Sequence, residues 1–241
     1  MPDKAREVKE MFGAIAPRYD FLNHFLSLNI DRRWRRAFVR EVSRRIALRD
    51  AAILDVGCGT GDLAIAFAEL GPVVGGDFCS SMLRIAGVKA ARARPVHPVT
   101  LVGGDALALP FADAAFDVVV SAFVLRNLAS IPEGLAEMRR VLRPGGVLGI
   151  MDFSMPALPV LGRLYRLYFL KLLPRIGDLI SGVRGPYSYL PDSVQSFPTP
   201  DRLIEELGKA GFVAMEHRLF TGGIAVLLLA RAGGEQTPAR P

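Results

Sequence analysis

The residues best suited to chemistry lie in the run Asp55-Val-Gly-Cys-Gly-Thr-Gly61, with Asp77 and Asp105 at the ends of two later apolar runs. Gly57, Gly59 and Gly61 have no side chain, so the chain can bend sharply there and present backbone N–H groups to a ligand. Many nucleotide sites share that property. A dinucleotide fingerprint would set its third glycine at position 62, where Asp62 stands, and an acidic loop is ill suited to a pyrophosphate. The carboxylate of Asp77 could accept hydrogen bonds from both hydroxyls of a ribose. That of Asp105 could receive the exocyclic amine of an adenine while the Ala106 N–H meets a ring nitrogen. Any one of the three acids alone reads better as a helix cap. Three at successive strand ends, the first inside a GxGxG turn, read as a site for an adenosine without phosphate, which is what S-adenosylmethionine offers.

Holding three such acids at one edge requires strands. From residue 52 the short apolar runs AAILDVG, PVVGGD, VTLVGGD, FDVVVSAF and GVLGIMDF end in Gly or Asp and alternate with helix-like stretches. That alternation predicts βα units on a parallel sheet buried on both faces. Up to about residue 48 the chain reads as two helices. Val8, Met11, Phe12, Ile15 and Tyr19 fall at spacings of three and four, a second run follows Asp31, and Pro17 with the Asn23 to Asn29 region separates them. Between Ser154 and Pro200 an amphipathic helix and a Pro/Gly/Tyr-rich loop interrupt the pattern and are expected over the substrate. Thr199-Pro-Asp201 then caps a helix ending at Gly211. The runs FVAMEHRLF and IAVLLLARA, either side of Thr221-Gly-Gly223, are expected as antiparallel strands at the sheet edge. The expected organisation is one domain over 1–233, with 1–48 a helical cap, 154–200 an insertion over the substrate site and 234–241 a disordered tail.

With 241 residues, 51% of them apolar, the chain can bury one full-sized core. The net charge of +6 comes mostly from arginine and is a weak pointer to nucleic acid or an anionic membrane surface. Cys58 and Cys79 show neither metal-ligand spacing nor a CxxC pattern, so reduced thiols and no metal are expected. The opening MPDKAREVKEMF lacks the apolar run of a secretory leader. The apolar stretch from Val160 to Ile176 is broken by Arg163, Arg166, Lys171 and Pro174 and is not expected to span a bilayer. A cytoplasmic protein is expected, able to work at the inner face of the membrane.

Narrower motifs run along nearly the whole chain. They are Met11-Phe-Gly-Ala-Ile-Ala-Pro-Arg-Tyr-Asp20 with Asn23, then Trp34, Asp105 through Phe111, Leu125-Arg-Asn127, Arg139-Arg-Val-Leu-Arg-Pro-Gly-Gly146, Asp152-Phe-Ser154, Tyr187-Ser-Tyr-Leu190, Ser193 to Pro198 and Thr221-Gly-Gly223. With them the chain resembles the menaquinone and ubiquinone biosynthesis C-methyltransferases, which methylate a ring carbon of a prenylated quinol. The glycine loop and RPGG are generic to class I methyltransferases. FxxxAPRYD, LRN and YxYLxxSVxxFP are narrow. The resemblance implies an α/β fold with a Rossmann-like seven-stranded sheet. It implies a cofactor set of Asp55, Gly57, Gly59, Thr60, Gly61, Asp77, Phe78, Asp105, Ala106, Ser121 and Ala122. Contacts to the acceptor are implied for Tyr19, Asp20, Arg126, Asp152, Tyr187 and Tyr189. Three positions depart from the family pattern: Ala122 replaces a serine that contacts cofactor, with Ser121 one place earlier, Val124 a glycine, and Ser188 an arginine.

The chemistry that follows is mainly positioning, because a sulfonium methyl is already a good electrophile. A quinol hydroxyl resembles a phenol of pKa about 10, and its deprotonation pushes electron density onto the neighbouring ring carbon. The reduced quinol is therefore the expected substrate. Arg126 would stabilise the developing oxyanion or orient a water, and is a poor direct base. Asn127 and Tyr19 would add hydrogen bonds. A structural salt bridge from Arg126 to Asp20 or Asp152 is the competing reading. His24 could act as a base near neutral pH, though a packing or surface histidine is the plainer reading. Leu161, Leu164, Tyr165, Tyr168 and Leu172 would form one apolar stripe, with Arg163, Arg166 and Lys171 off it. Such a helix would rest on anionic lipid, or pack as a lid on the core or on a second subunit of a homodimer. Arg32, Arg33, Arg35 and Arg36 are expected on a solvated helix face.

Two other classes stay in view. An RNA or other small-molecule methyltransferase would suit the charge, but the chain has no Asn/Asp-Pro-Pro-aromatic motif after the fourth run and no cysteine placed for base C5 chemistry. Nucleic acid is therefore not expected as a partner. A cofactor-binding regulatory protein without catalysis is the non-enzymatic alternative, and retention of the three acids and Arg126 argues against it. Gly76-Asp-Phe78 is slightly closer to the menaquinone branch, which orders naphthoquinol ahead of benzoquinol.

Overall fold

The five apolar runs become strands β1 (Ile53–Val56), β2 (Val73–Asp77), β3 (Val99–Gly103), β4 (Phe116–Ala122) and β5 (Leu142–Phe153). They are seen in a computed structural model that describes residues 2–16, 19–46, 50–156, 162, 165, 167–172 and 186–234. With β6 (Phe212–Phe220) and β7 (Ala225–Ala232) they form one sheet of order β3-β2-β1-β4-β5-β7-β6. β1 to β5 pair in parallel, whereas β7 is antiparallel to both β5 and β6. The expected antiparallel pair is present, but only β6 is an edge strand, since β7 is threaded between it and β5.

Side-chain alternation feeds two cores. Leu54 and Val119 face a layer with Leu135 and Met138 of α6 (Ile131–Val141) and Leu203 and Leu207 of α8 (Pro200–Lys209). Their neighbours Ile53, Val118 and Val120 face the opposite layer, with Trp34, Phe38 and Val42 of α3 (Ile30–Ser43) and Phe67 of α4 (Asp62–Phe67). Each such side chain, fully buried, contributes about 1.5–3 kcal/mol. Gly149 lets α3 lie close on β5: a Cβ there would come within 2.5 Å of the Phe38 ring. Thr199 caps α8 by accepting from Arg202 N, as its position before a proline predicts.

The N-terminal segment holds three helices, not two. α1 (Pro2–Ile15) is followed by α2 (Tyr19–Leu26), so the expected separator at Asn23 to Asn29 shrinks to the turn before α3. In that turn Leu28 and Asn29 take left-handed φ values of 52° and 60°. Tyr187-Ser-Tyr-Leu190, expected in a loop, lies on α7 (Pro186–Gln195), which continues past Pro191. Of the expected amphipathic stripe, Tyr168 opens a π-helical turn (Tyr168–Leu172) and Tyr165 precedes it. Leu161, Arg163, Leu164, Arg166 and the tail 235–241 lie outside the described residues. The remaining long helix is α5 (Ser80–Ala93).

Candidate active site

The strand order reverses between β1 and β4, and ligands of open α/β sheets sit beyond the carboxyl ends of the strands at such a switch point. A cavity opens there. Gly57, Gly59, Asp77, Phe78, Asp105, Ala106, Ala122 and Asn127 are on its wall. The loop that forms its floor depends on glycine conformation: Gly57, Gly59 and Gly61 have φ of 70°, 54° and 84°. Gly57 N and Cys58 N donate to Gly76 O at 2.8 and 2.9 Å, tying the loop to β2. Asp77 completes the tie. Its Oδ2 accepts from Gly59 N and its Oδ1 from Cys79 N, both at 2.8 Å. Burial raises the Asp77 carboxyl against the lowering effect of these backbone bonds.

Asp55 stands behind the loop, 1% exposed and off the wall. Burial, with Asp77 nearby, pushes its carboxyl up to about 8, and its Oδ2 has no hydrogen-bond partner among the described residues. Thr60 is also off the wall; its hydroxyl donates to Asp20 Oδ1 at 2.6 Å, and Lys89 joins Asp20 at 2.6 Å. Thr60 and Asp20 thus bind the loop to α2 and α5. Gly61 packs on α5, where a Cβ would meet that of Ala86 at 3.0 Å. Ser121 is buried with its hydroxyl on Val56 O at 2.8 Å, leaving the wall position to Ala122. Burial raises the Cys58 thiol far above its ordinary range.

The wall suits an adenosine. A Cβ on Gly59 would meet nothing within 4 Å, so the space over the loop is open. Each carboxylate oxygen has capacity beyond the single N–H it accepts here, so Asp77 can still take ribose hydroxyls. Asp105, exposed, uses one oxygen for Leu107 N at 2.9 Å.

A second cavity of roughly 390 Å³ adjoins the first. Phe12, Tyr19 and Phe123 line both. Its walls are rich in aromatic rings, with Trp34, Phe153, Tyr165, Phe169 and Tyr189, and Arg126 is set among them. Arg126 is 9% exposed and pairs with Asp152 through Nη1 and Oδ1 at 2.6 Å. Nη1 also donates to Phe123 O at 2.7 Å, and the guanidinium carbon lies 5.3 Å from the Phe153 ring centroid. Of the two acids considered for it, Asp152 is therefore the partner, itself off the cavity wall, while Asp20 belongs to Lys89 and Thr60. Tyr19 is half-buried and edge-on to Phe12 at 5.8 Å. Burial raises its phenol, opposed by the charge of Arg126 and a hydrogen bond with Asn23. Asn127 Nδ2 donates to Phe123 O at 3.1 Å, leaving its buried Oδ1 without a partner among the described residues. Tyr189 has a buried hydroxyl in the same condition. Tyr187 is on α7, and its side chain lies outside the described residues. Trp34 Nε1 donates to Thr221 Oγ1 at 2.9 Å, joining two of the family motifs.

Sequence reading missed part of the second wall. Arg32, Arg33 and Arg36 are exposed as expected, but Arg35 turns inward to Asp31 and the cavity. Asn23, Ser27 and Asp31 line it too. The available signal was a strict spacing of four from Tyr19 to Arg35, hidden by the turn that splits the helix. Among the described residues no three His, Cys, Asp or Glu are placed to hold a metal ion.

Two solved structures share this architecture. One is a methyltransferase of Thermotoga maritima described as S-adenosylmethionine-dependent and a possible histamine N-methyltransferase, with TM-score 0.63 and 19% identity over 92% of this chain and 98% of the other. The second is an S-adenosylmethionine-dependent methyltransferase of Aquifex aeolicus, with TM-score 0.59 and 18% identity over 80% and 88%. The fold is that of a class I S-adenosylmethionine-dependent methyltransferase. Residues 1–231 match the model of the ubiE/COQ5 methyltransferase family, and the chain belongs to that family. It is 48% identical to the demethylmenaquinone methyltransferase of Deinococcus radiodurans over 92% of this chain and 91% of that one. The protein of the same name from Thermus thermophilus is 46% identical over 90% and 97%. A ubiquinone/menaquinone biosynthesis C-methyltransferase of a Geobacter species is 42% identical over 94% and 97%. The chain is thus an S-adenosylmethionine-dependent methyltransferase.

Proposed function

We propose that this enzyme methylates a ring carbon of a prenylated quinol, with demethylmenaquinol as the acceptor and menaquinol as the product. The observation that carries the reading is the meeting of two cavities at Tyr19, one suited to an adenosine and one walled by aromatic rings. The names of the relatives favour naphthoquinol over the benzoquinol of ubiquinone biosynthesis. When bound, S-adenosylmethionine supplies the electrophilic methyl group.

The chain's residues do the rest. Asp77, Asp105 and the Ala106 N–H hold the adenosine, with Gly57, Gly59, Phe78 and Ala122 shaping the space around it. Asp55, Thr60, Gly61 and Ser121 act from behind by fixing the loop and β4. Arg126 faces the acceptor and stabilises the oxyanion as a hydroxyl ionises; Asp152 fixes its guanidinium. Asn127 and Tyr19 position the ring by hydrogen bonds, and Tyr189 adds its hydroxyl from α7; Tyr187 is proposed as a further contact to the acceptor. Asp20 positions Tyr19's helix through Lys89. We read 1–233 as one domain in which 1–48 and 154–200 cover the acceptor. A peripheral station on an anionic inner leaflet suits a prenylated acceptor. Phe21, Phe25 and Leu28 are 61%, 49% and 79% exposed, and Arg32, Arg33 and Arg36 are exposed on α3. Among the described residues no helix is long and apolar enough to cross a membrane. A homodimer would add a second such face.

The test is purified protein with labelled methyl donor and either reduced demethylmenaquinol or reduced demethylated benzoquinol, followed by mass location of the label. Label on the naphthoquinol ring is expected, with Arg126→Ala cutting turnover while cofactor affinity holds. Label absent from both rings would remove this acceptor class.

A further inference from the structure

Leu28, in the turn between α2 and α3, combines three properties. It lines the second, acceptor cavity, and it is 79% exposed. Its backbone is left-handed, with φ 52°, a conformation that costs a leucine and that glycine or asparagine holds more readily. Neither burial nor backbone conformation calls for leucine here. A residue that is at once cavity wall and open surface marks a mouth, so the cavity reaches the surface at this turn. Tyr19 opens α2 and lines both cavities, whereas Leu28, nine residues on, lines only the second. At about 1.5 Å per residue that is roughly 13 Å along the helix. A fused two-ring system set against Tyr19, beside the cavity of the methyl donor, does not extend so far. The polar side chains on this part of the wall are satisfied by one another: Ser27 Oγ donates to Asp31 Oδ1 at 2.7 Å and Arg35 Nη1 to Asp31 Oδ2 at 2.6 Å. They need no polar group from a ligand. Phe25 O accepts from Leu28 N at 3.1 Å, and the Phe25 ring is stacked on that of Phe21. Exposed apolar side chains are thus present at the mouth and on the helix that leads to it.

We propose that the mouth at Leu28 is where the acceptor's prenyl chain leaves the cavity, and that Leu28 is a specificity-determining residue which distinguishes a prenylated ring from a bare one. The inference rests on the acceptor being a prenylated quinol. Continuity with the acceptor cavity assigns the mouth to a substituent of the acceptor and not to a second protein chain. A chain of isoprene units has no hydrogen-bonding group, so it passes at least cost where the wall leaves no polar atom without a partner. Leu28 meets it with apolar surface. In the free enzyme that surface faces water, and a prenyl chain lying across it removes both from solvent, which favours binding in proportion to the area covered. A ring without a tail stops short of the turn and gains nothing there. The left-handed backbone holds the leucine at the rim, and strain of this kind persists where a ligand contact uses it.

The experiment compares acceptors with the full chain and labelled methyl donor, without oxygen and in one detergent: reduced demethylmenaquinol, its analogue with a single isoprene unit, and naphthalene-1,4-diol with no tail. Leu28→Gly removes the side chain and Leu28→Asn makes it polar, both on a backbone that the new residue holds readily; Leu28→Met keeps it apolar. In wild-type protein kcat/KM should rise with the tail. In Leu28→Gly and Leu28→Asn the ratio of kcat/KM between the long-tailed acceptor and the shortest one turned over should fall on the order of tenfold. The change should lie in KM for the long-tailed acceptor, with KM for the methyl donor unaltered, and Leu28→Met should keep the wild-type ratio. An equal loss on every acceptor turned over would make Leu28 a structural residue and overturn the exit, as would a ratio that neither Leu28→Gly nor Leu28→Asn changes; both leave the quinol reading in place. No product from wild-type protein with any of the three overturns that reading and the exit with it.

Discussion

Among single residues Asp55 offers the sharpest test, because its surroundings set its charge. Its folded carboxyl titrates near 8, whereas a free aspartate titrates near about 3.9. Between those values the folded protein holds a proton that the unfolded chain has lost, so this group's contribution to stability is greatest below about pH 4 and is lost as pH rises towards 8. The slope from one such group is about 1.4 kcal/mol per pH unit at most. Asp55→Asn should flatten the dependence of Tm on pH across that window, measured by thermal unfolding; an unchanged slope would show that Asp55 is ionised in the fold. At this scale the sequence was a good guide to which residues gather and a poor guide to what each touches. Asp55, Asp77 and Asp105 read as equivalent strand-end acids, yet Asp55 is shut behind the loop, Asp77 staples it and Asp105 is exposed. Burial depth at a strand end depends on the neighbouring strands and helices, which no local pattern contains.

At the scale of elements, the glycine loop and the segment after β4 are packed as one unit. Gly57 has φ 70°, and a Cβ there would lie 2.4 Å from Val124 Cγ2. Val124 stands where the family pattern has glycine, and the structure shows what the larger side chain does: it fills the space left by Gly57. Gly57→Ala meets both a left-handed backbone, costing about 1–2 kcal/mol, and a clash. Calorimetry with S-adenosylhomocysteine should show affinity falling by up to about 5- to 30-fold from that energy alone. Adding Val124→Ala should restore only the part due to the clash. Full recovery in the double variant would mean that backbone conformation is not limiting. The strands were legible because short apolar runs that end in Gly or Asp are local signals. The break before α3 was legible in the Asn23 to Asn29 region, but the helix Tyr19–Leu26 between the two expected ones was not.

For the molecule as a whole, the net charge of +6 favours an anionic surface as partner. Arg32, Arg33 and Arg36 are exposed on α3, and the Phe21 and Phe25 rings of α2 are exposed and stacked, 5.9 Å apart. Flotation with anionic liposomes should recover the protein at low salt and less of it as the Debye length shortens to about 10 Å at 0.1 M. Phe21→Ala with Phe25→Ala should weaken recovery at every salt concentration. No flotation at low salt would exclude the membrane station without touching the chemistry. Composition alone could not separate lipid from nucleic acid; the exposure of two stacked aromatic rings is a property of the folded surface. Trp34, tied to Thr221 and set in the wall of the second cavity, is the chain's single tryptophan. The protein therefore contains its own optical probe: excitation of one indole reports on one cavity, so the arrival of a ring beside it can be followed as quenched emission, without label and without turnover.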